Sequence, residues 1–259
     1  MVQIESGELH LKAYLWIPSG VGPFPGILFN HGRSDSAEYH WRERNLTLTA
    51  AAESIGPLFA AHGYVFLFPF RRGEGPSADQ APFIGDLLQH EENAAGIQAK
   101  KHLQLVLMCT DHLDDSMAGL SFLRGLREVD AHRIAVIGHS FGGGISILQA
   151  ERAPTLRAIV TFGAAAASWD GSEELRARLL AAIDKIDTPV LLIHAANDYS
   201  TAPGRTMANE LARLSKPHAL KVYPPVGKSV SDGHNFIYTD VSLWNEDVFH
   251  FLQENLGVR

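Results

Sequence analysis

The sequence predicts an α/β fold, a mostly parallel central sheet with helices on both faces. Short apolar runs bounded by Gly, Pro, Asn or Asp alternate with stretches of helical periodicity. The later runs are apolar throughout, as strands buried on both faces must be. No repeat, low-complexity tract or Pro/Ser-rich linker breaks the 259 residues, so a single domain over 1–259 is expected.

The expected strands are Leu9–Ile17, Gly26–Asn30, Tyr64–Phe70, Arg133–Gly138, Ala158–Phe162, Val190–His194 and Leu220–Tyr223. Helices are expected over Leu46–His62, one or two within Glu92–Leu126, then Phe141–Arg152, Glu173–Ile183, Pro203–Leu214 and Val241–Leu256. Within the second of these regions Val106, Cys109, Leu113, Met117, Leu120 and Leu123 recur every three or four residues and so share one face. The same spacing of Val241, Trp244, Val248 and Leu252 supports the last helix. The long departure from this rhythm, Gly73 to Asp115, is expected to form a small helical, cap-like insertion over the strand ends.

A formal net charge of -7 supplies no basic field for nucleic acid or anionic lipid, so neither partner is expected. The single cysteine, Cys109, cannot form an intramolecular disulfide and reads as a small apolar filler on a helix. Glu5, Glu8 and His10 stand where a signal peptide needs apolar residues, and Ala158–Trp169 is too short to span a bilayer, so a cytoplasmic protein is expected.

The segment Arg133-Ile-Ala-Val-Ile-Gly138-His139-Ser140-Phe141-Gly142 reads as an apolar strand, a tight turn and the start of an apolar helix. This is the G-x-S-x-G nucleophile elbow in the strand-turn-helix context it requires. Gly138 and Gly142 allow strand and helix to approach, and the strained turn presents Ser140 at a helix N-terminus. The stretch is not G-x-G-x-x-G, and Gly227-Lys228-Ser229 has Val222 where a phosphate loop needs its leading glycine, which sets aside dinucleotide and NTP chemistry.

A serine hydroxyl needs a base to take its proton and an acid to orient that base, in the chain order Ser, acid, His for this type of sheet. Only His218, His234 and His250 lie beyond a plausible acid. His218 precedes its strand and His250 lies within the last helix. His234, in the turn-rich loop Ser231-Asp-Gly-His-Asn, stands where strand ends build sites. Asp198 leaves the strand Val190–His194 in the same way and is the expected acid, with Asp232 as the competitor. For the oxyanion, the backbone N–H of Phe141 and that of Arg33 are the expected donors, with Ser34 as the alternative to Arg33.

These residues resemble a known group. His31-Gly32, Phe70-Arg-Arg-Gly-Glu-Gly75, Val129-Asp-Ala-His-Arg-Ile134, the elbow, Asp198 and Gly233-His234 are together similar to the dienelactone hydrolase-like group of α/β-hydrolases. The resemblance implies an α/β-hydrolase fold and hydrolytic chemistry. The chain departs from dienelactone hydrolases proper in having Ser140 where they use cysteine, so a carboxylesterase acting on a small-molecule ester is expected rather than their lactone reaction. Serine members with amide-cleaving, oligopeptidase-like activity are the nearest alternative, though these usually carry a large extra domain, and a catalytically silent ligand-binding protein is the alternative of another class.

Arg71 and Arg72 leave a strand near the expected site. Either is a candidate to recognise a substrate carboxylate or carbonyl, the competing role being an ion pair within the loop to Glu74 or Asp79. His139, beside the nucleophile, is a third candidate substrate contact. Asp114 and Asp115, adjacent on a helix, point to different faces and are expected to be solvated. No zinc-ligand spacing is present, so neither a metal nor a cofactor is expected.

Overall fold

The computed structural model describes residues 1–34, 39–41 and 46–257. In chain order the strands are β1 (Val2–Ser6), β2 (Leu9–Trp16), β3 (Phe24–Asn30), β4 (Tyr39–Trp41), β5 (Leu46–Thr47), β6 (Val65–Pro69), β7 (Val129–His139), β8 (Ala158–Phe162), β9 (Val190–Ala195) and β10 (His218–Tyr223). The helices are α1 (Leu48–Ala61), α2 (Ile84–Cys109), α3 (Asp111–Gly125), α4 (Phe141–Arg152), α5 (Glu173–Lys185), α6 (Ala202–Arg213), α7 (Val230–Thr239) and α8 (Val241–Leu256).

Eight strands form the main sheet in the order β1-β2-β6-β3-β7-β8-β9-β10. From β6 to β10 all pairings are parallel, while β1 and β2 add an antiparallel edge. Successive residues of β3 point to opposite faces and show how the sheet divides the core. Ile27 and Phe29 pack with Ile55 and Phe59 of α1 and Trp244 and Val248 of α8. Leu28 packs on the other face with Leu120 and Leu123 of α3 and Ile145 and Leu148 of α4. Each such side chain, once fully buried, contributes about 1.5–3 kcal/mol.

The sheet order places the site. From β3 the chain moves outward to β6, returns across β3 to β7, and then continues in the opposite direction to β10. The carboxyl ends of β3 and β7, paired through Asn30 and Gly138, therefore flank the point where the winding reverses, which is where open α/β sheets bind ligands.

Several expectations are corrected. Val2–Ser6 is an edge strand that the sequence reading left unassigned; it pairs with β2 around Gly7, whose φ is 60°. The turn-rich segment around His234 is helical: Ser229 and Asp232 form a capping box that starts α7. The periodic stretch 106–123 is split at Thr110 (φ -115°, ψ -99°) into α2 and α3, and Val106 faces outward at 40% exposure.

Asp115 is fully buried rather than solvated. It accepts hydrogen bonds from Ser6 Oγ at 2.7 Å and from Arg72 N, Nε and Nη2 at 2.7–3.0 Å. A carboxylate this deep needs such partners. Asp114, its neighbour, is exposed and pairs with Arg152. No helix among the described residues is long and apolar enough to cross a membrane.

Candidate active site

Strand β7 ends at His139, and Ser140 caps α4 with φ 55° and ψ -117°, a conformation strained for any residue with a Cβ. The strain is held from both sides: Ser140 N–H donates to Phe162 O at 2.8 Å, and Ser140 O accepts from Gly143, Gly144 and Ala165 N–H at 3.0–3.2 Å. Glycine is obligatory at two places here. A Cβ on Gly142 would collide with the carbonyl oxygens of Asn30 and His31, and one on Gly138 with Gly142 O. Their absence lets α4 run against the end of β3.

The expected acid and base converge on this serine. His234 Nε2 lies 2.8 Å from Ser140 Oγ, and His234 Nδ1 lies 2.6 Å from Asp198 Oδ1. Asp198 follows β9 and is 7% exposed, His234 sits on α7 and is 6% exposed. Asn197 fixes their relative placement: its Nδ2 donates to Val226 O and Ser229 O, and its Oδ1 accepts from Val226 N–H, all at 2.8 Å. The turn carrying the acid is thus tied to the segment leading into the helix carrying the base. Asp232, the competing acid, accepts from Lys228 and Ser229 N–H in the cap of α7.

Asp198 has a further partner that sequence reasoning missed. His194, at the end of β9, donates from Nδ1 to Asp198 Oδ2 at 2.8 Å, and Tyr199 N–H donates to Oδ1 at 2.7 Å. Burial raises the Asp198 pKa, but the hydrogen bonds from His194 and His234 outweigh it and hold the carboxyl at about 2. The signal was a lone polar residue in an otherwise apolar strand.

His139 does not face substrate space. It is 1% exposed beneath His234, its ring centroid 4.8 Å from that of His234, and its Nε2–H donates to His234 O at 2.9 Å. Burial, reinforced by the neighbouring His234, lowers its pKa to about 3, so it underpins α7 as a neutral ring.

The loop after β3 carries the nominated Arg33 N–H. Ser34, the alternative donor, is committed: its N–H and Oγ–H both donate to Glu74 Oε1, at 3.1 and 2.8 Å. Arg71 is not a substrate contact either. It is 2% exposed and donates through Nη1 to His31 O at 2.7 Å and through Nη2 to Gly32 O at 3.0 Å and to Glu74 Oε2 at 3.1 Å. Arg71 N–H donates to His31 Nε2, which places the ring proton on Nδ1, where it reaches Gly32 O at 2.7 Å. Arg72 turns the other way and pairs with Asp115 and Asp111. Both arginines therefore build the loops, as the competing reading of Arg71 held; a buried guanidinium demands a carboxylate, and Glu74 supplies it.

A cleft of about 250 Å³ opens over Ser140, lined among others by Arg33, Met108, Phe141, Tyr199 and His234. Gln104 and Met108 of α2 also line this cleft. A second cleft of about 210 Å³ shares Arg33, Gln104 and Met108 and extends past Leu105 to Lys101. In the first turn of α4 the N–H groups of Gly143 and Gly144 are taken up by Ser140 O, and Phe141 lines the cleft.

The chain resembles several known proteins. It is 27% identical over 161 residues to the quorum-quenching protein AidA of Acinetobacter baumannii, covering 62% of this chain but only 42% of that protein. Among solved structures, Est1E of Butyrivibrio proteoclasticus with bound ferulic acid matches over 100% of both chains (TM-score 0.66, 18% identity). The acylaminoacyl peptidase of Pyrococcus horikoshii matches 98% of this chain and 41% of its own (TM-score 0.65, 19% identity). At such identities these two structures establish the α/β-hydrolase fold. The profile of the dienelactone hydrolase family matches residues 46–246, so this chain belongs to that family.

Proposed function

We propose that the chain is a serine hydrolase that cleaves small carboxylic esters through an acyl-enzyme on Ser140. The observation that carries this reading is the continuous relay from Ser140 Oγ through His234 to Asp198, with contacts of 2.8 and 2.6 Å. In the reaction His234 Nε2 takes the Oγ proton as oxygen attacks the ester carbonyl. Asp198 holds the ring with its proton on Nδ1 and stabilises the imidazolium that forms. Backbone N–H groups of Phe141 and Arg33 receive the developing oxyanion. The imidazolium then protonates the departing alkoxide, and a water activated by the same ring releases the acid. The 250 Å³ cleft suits an acyl or alcohol group of modest size.

The test is stoichiometric labelling by a fluorophosphonate, mapped to Ser140, together with turnover of p-nitrophenyl esters of increasing chain length. Ser140→Ala should abolish labelling and lower kcat by about 10⁶. A folded wild-type protein that neither labels nor turns over any ester would sink the reading. Turnover of aminoacyl amides without ester turnover would transfer it to the amide-cleaving alternative.

A further inference from the structure

Every residue of β9, Val190 to Ala195, is buried, and His194 is its one polar side chain. It is 1% exposed, and its Nδ1 meets Asp198 Oδ2 at 2.8 Å, on the oxygen that His234 does not use. Its other nitrogen, Nε2, is buried with no hydrogen-bond partner. The ring has been given space: a Cβ on Gly204 of α6 would stand 2.6 Å from both Cδ2 and Nε2, and 3.2 Å from Leu220 of β10.

We propose that His194 is a positioning residue for the relay, an imidazole N–H that clamps Oδ2 of Asp198 so that Oδ1 faces His234. This rests on the serine-hydrolase reading above and deepens it. Donation to a carboxylate requires the proton on Nδ1. Nε2, buried against α6, has no partner, so the ring meets the carboxylate through Nδ1 alone. Without this partner the buried Oδ2 would be free to rotate or to take up a proton. The ionisable groups facing the carboxylate are His194 from β9 and His234 from α7, with His139 of β7 behind His234. Their combined effect agrees with the low pKa of Asp198.

Two variants separate positioning from packing. His194→Leu fills similar space without a donor. His194→Asn sets an N–H donor the same number of bonds from Cα as Nδ1. On a p-nitrophenyl ester, His194→Leu should lower kcat about 10- to 100-fold, the range for a hydrogen bond to a charged group, with KM little changed. It should also move the acid limb of kcat/KM to higher pH, because an unpaired Oδ2 makes the carboxylate more basic and the proton on His234 harder to release. His194→Asn should recover most of both changes.

Proton NMR supplies a readout independent of turnover. Beside the protected N–H signals of buried His31 and His139, wild-type protein should show two downfield imidazole N–H signals from the carboxylate contacts, one lost in His194→Leu and the other in His234→Ala. If His194→Leu does not fold, the Asn variant and the wild-type spectrum carry the test. An acid limb that stays or moves down in folded His194→Leu, a loss of kcat that Asn does not recover, or the absence of any downfield signal lost in His194→Leu overturns the proposal. Failure of Ser140 to label is a separate result and strikes the hydrolase reading alone.

Discussion

Two arms meet at Ser140, and they are held in place by different physics. The acid–base arm, from β9 to α7, is built on one buried carboxylate, Asp198, surrounded by imidazoles: His234, His194 and, behind them, His139. The oxyanion arm, residues 31–34, is locked by a buried ion pair between Arg71 and Glu74 that grips the carbonyls of His31 and Gly32 and the N–H of Ser34. The difference follows from what each must do in the proposed reaction. Charge appears on the acid–base arm during turnover, so its carboxylate must keep a net charge to answer it. The oxyanion arm must only hold backbone donors still, and a neutralised ion pair serves that best.

The largest expected effect comes from removing the charge of the first arm. Asp198→Asn keeps the shape but cannot accept from both His234 and His194 while favouring the working tautomer, and kcat should fall about 10⁴-fold. Melting should change far less than activity. A variant that retains wild-type kcat would show that the relay seen here is not used.

The second arm should break differently. Glu74→Gln leaves Arg71 buried without its countercharge and should cost about 3–5 kcal/mol of stability, read by denaturant unfolding. The double variant Arg71→Met with Glu74→Leu removes both charges, and stability should largely return. Turnover should not return, because the carbonyls of His31 and Gly32 and the N–H of Ser34 lose their grip together. Recovery of kcat along with stability would reduce the pair to a packing element.

pH distinguishes the arms without mutation. His139 is held near pKa 3 by burial, against 6.5 for an ordinary histidine. Below pH 6.5 the unfolded chain therefore binds a proton that the native state refuses. This contribution to stability is fully present above 6.5 and is lost as pH falls towards 3, at up to about 1.4 kcal/mol per unit. Asp198, held near 2, adds a further loss of the same sign between about pH 4 and 2. Replacing His139 with Phe should flatten the first of these slopes, and an unchanged stability profile would show that the ring is not buried neutral.

A smaller effect is expected at Gly163, where φ is 57° and a Cβ would stand 2.9 Å from His234 Nδ1 and 3.0 Å from Asp198 Oδ2. Gly163→Ala should cost about 1–2 kcal/mol for the left-handed backbone and should lower kcat by lengthening the bond between acid and base. Equal kcat with reduced stability would confine the role of this glycine to the backbone.

How much of this was legible in the sequence follows the same division. The elbow and Asp198 could be read because each lies at the end of an apolar strand, and His234 because chain order leaves few histidines beyond the acid. The oxyanion arm could be read only as far as its backbone. That Arg71 and Glu74 are buried depends on the loop 31–34 folding over them, some forty residues away in sequence. Asp115 looked solvated because its partners are Arg72 and, 109 residues distant, Ser6. The helix bearing His234 was hidden by Ser, Asp, Gly and Asn, all turn formers, although Ser229 and Asp232 stand at capping-box spacing. Local chemistry placed the reacting groups; the ion pairs behind them belong to tertiary structure.

The smallest expected effect is on selectivity. Arg72, a candidate carboxylate clamp by sequence, has its guanidinium against Asp115 at 2.7 Å and Asp111 at 3.3 Å, and it lies outside the residues lining the cleft. Arg72→Ala should therefore lower the melting temperature, since Asp115 is left buried with fewer donors, while the ratio of activity on acidic and neutral esters stays at its wild-type value. A change in that ratio, with the fold intact, would mean that the arginine exchanges its carboxylate for the substrate's. The loop after β6 would then be a recognition element as well as a scaffold.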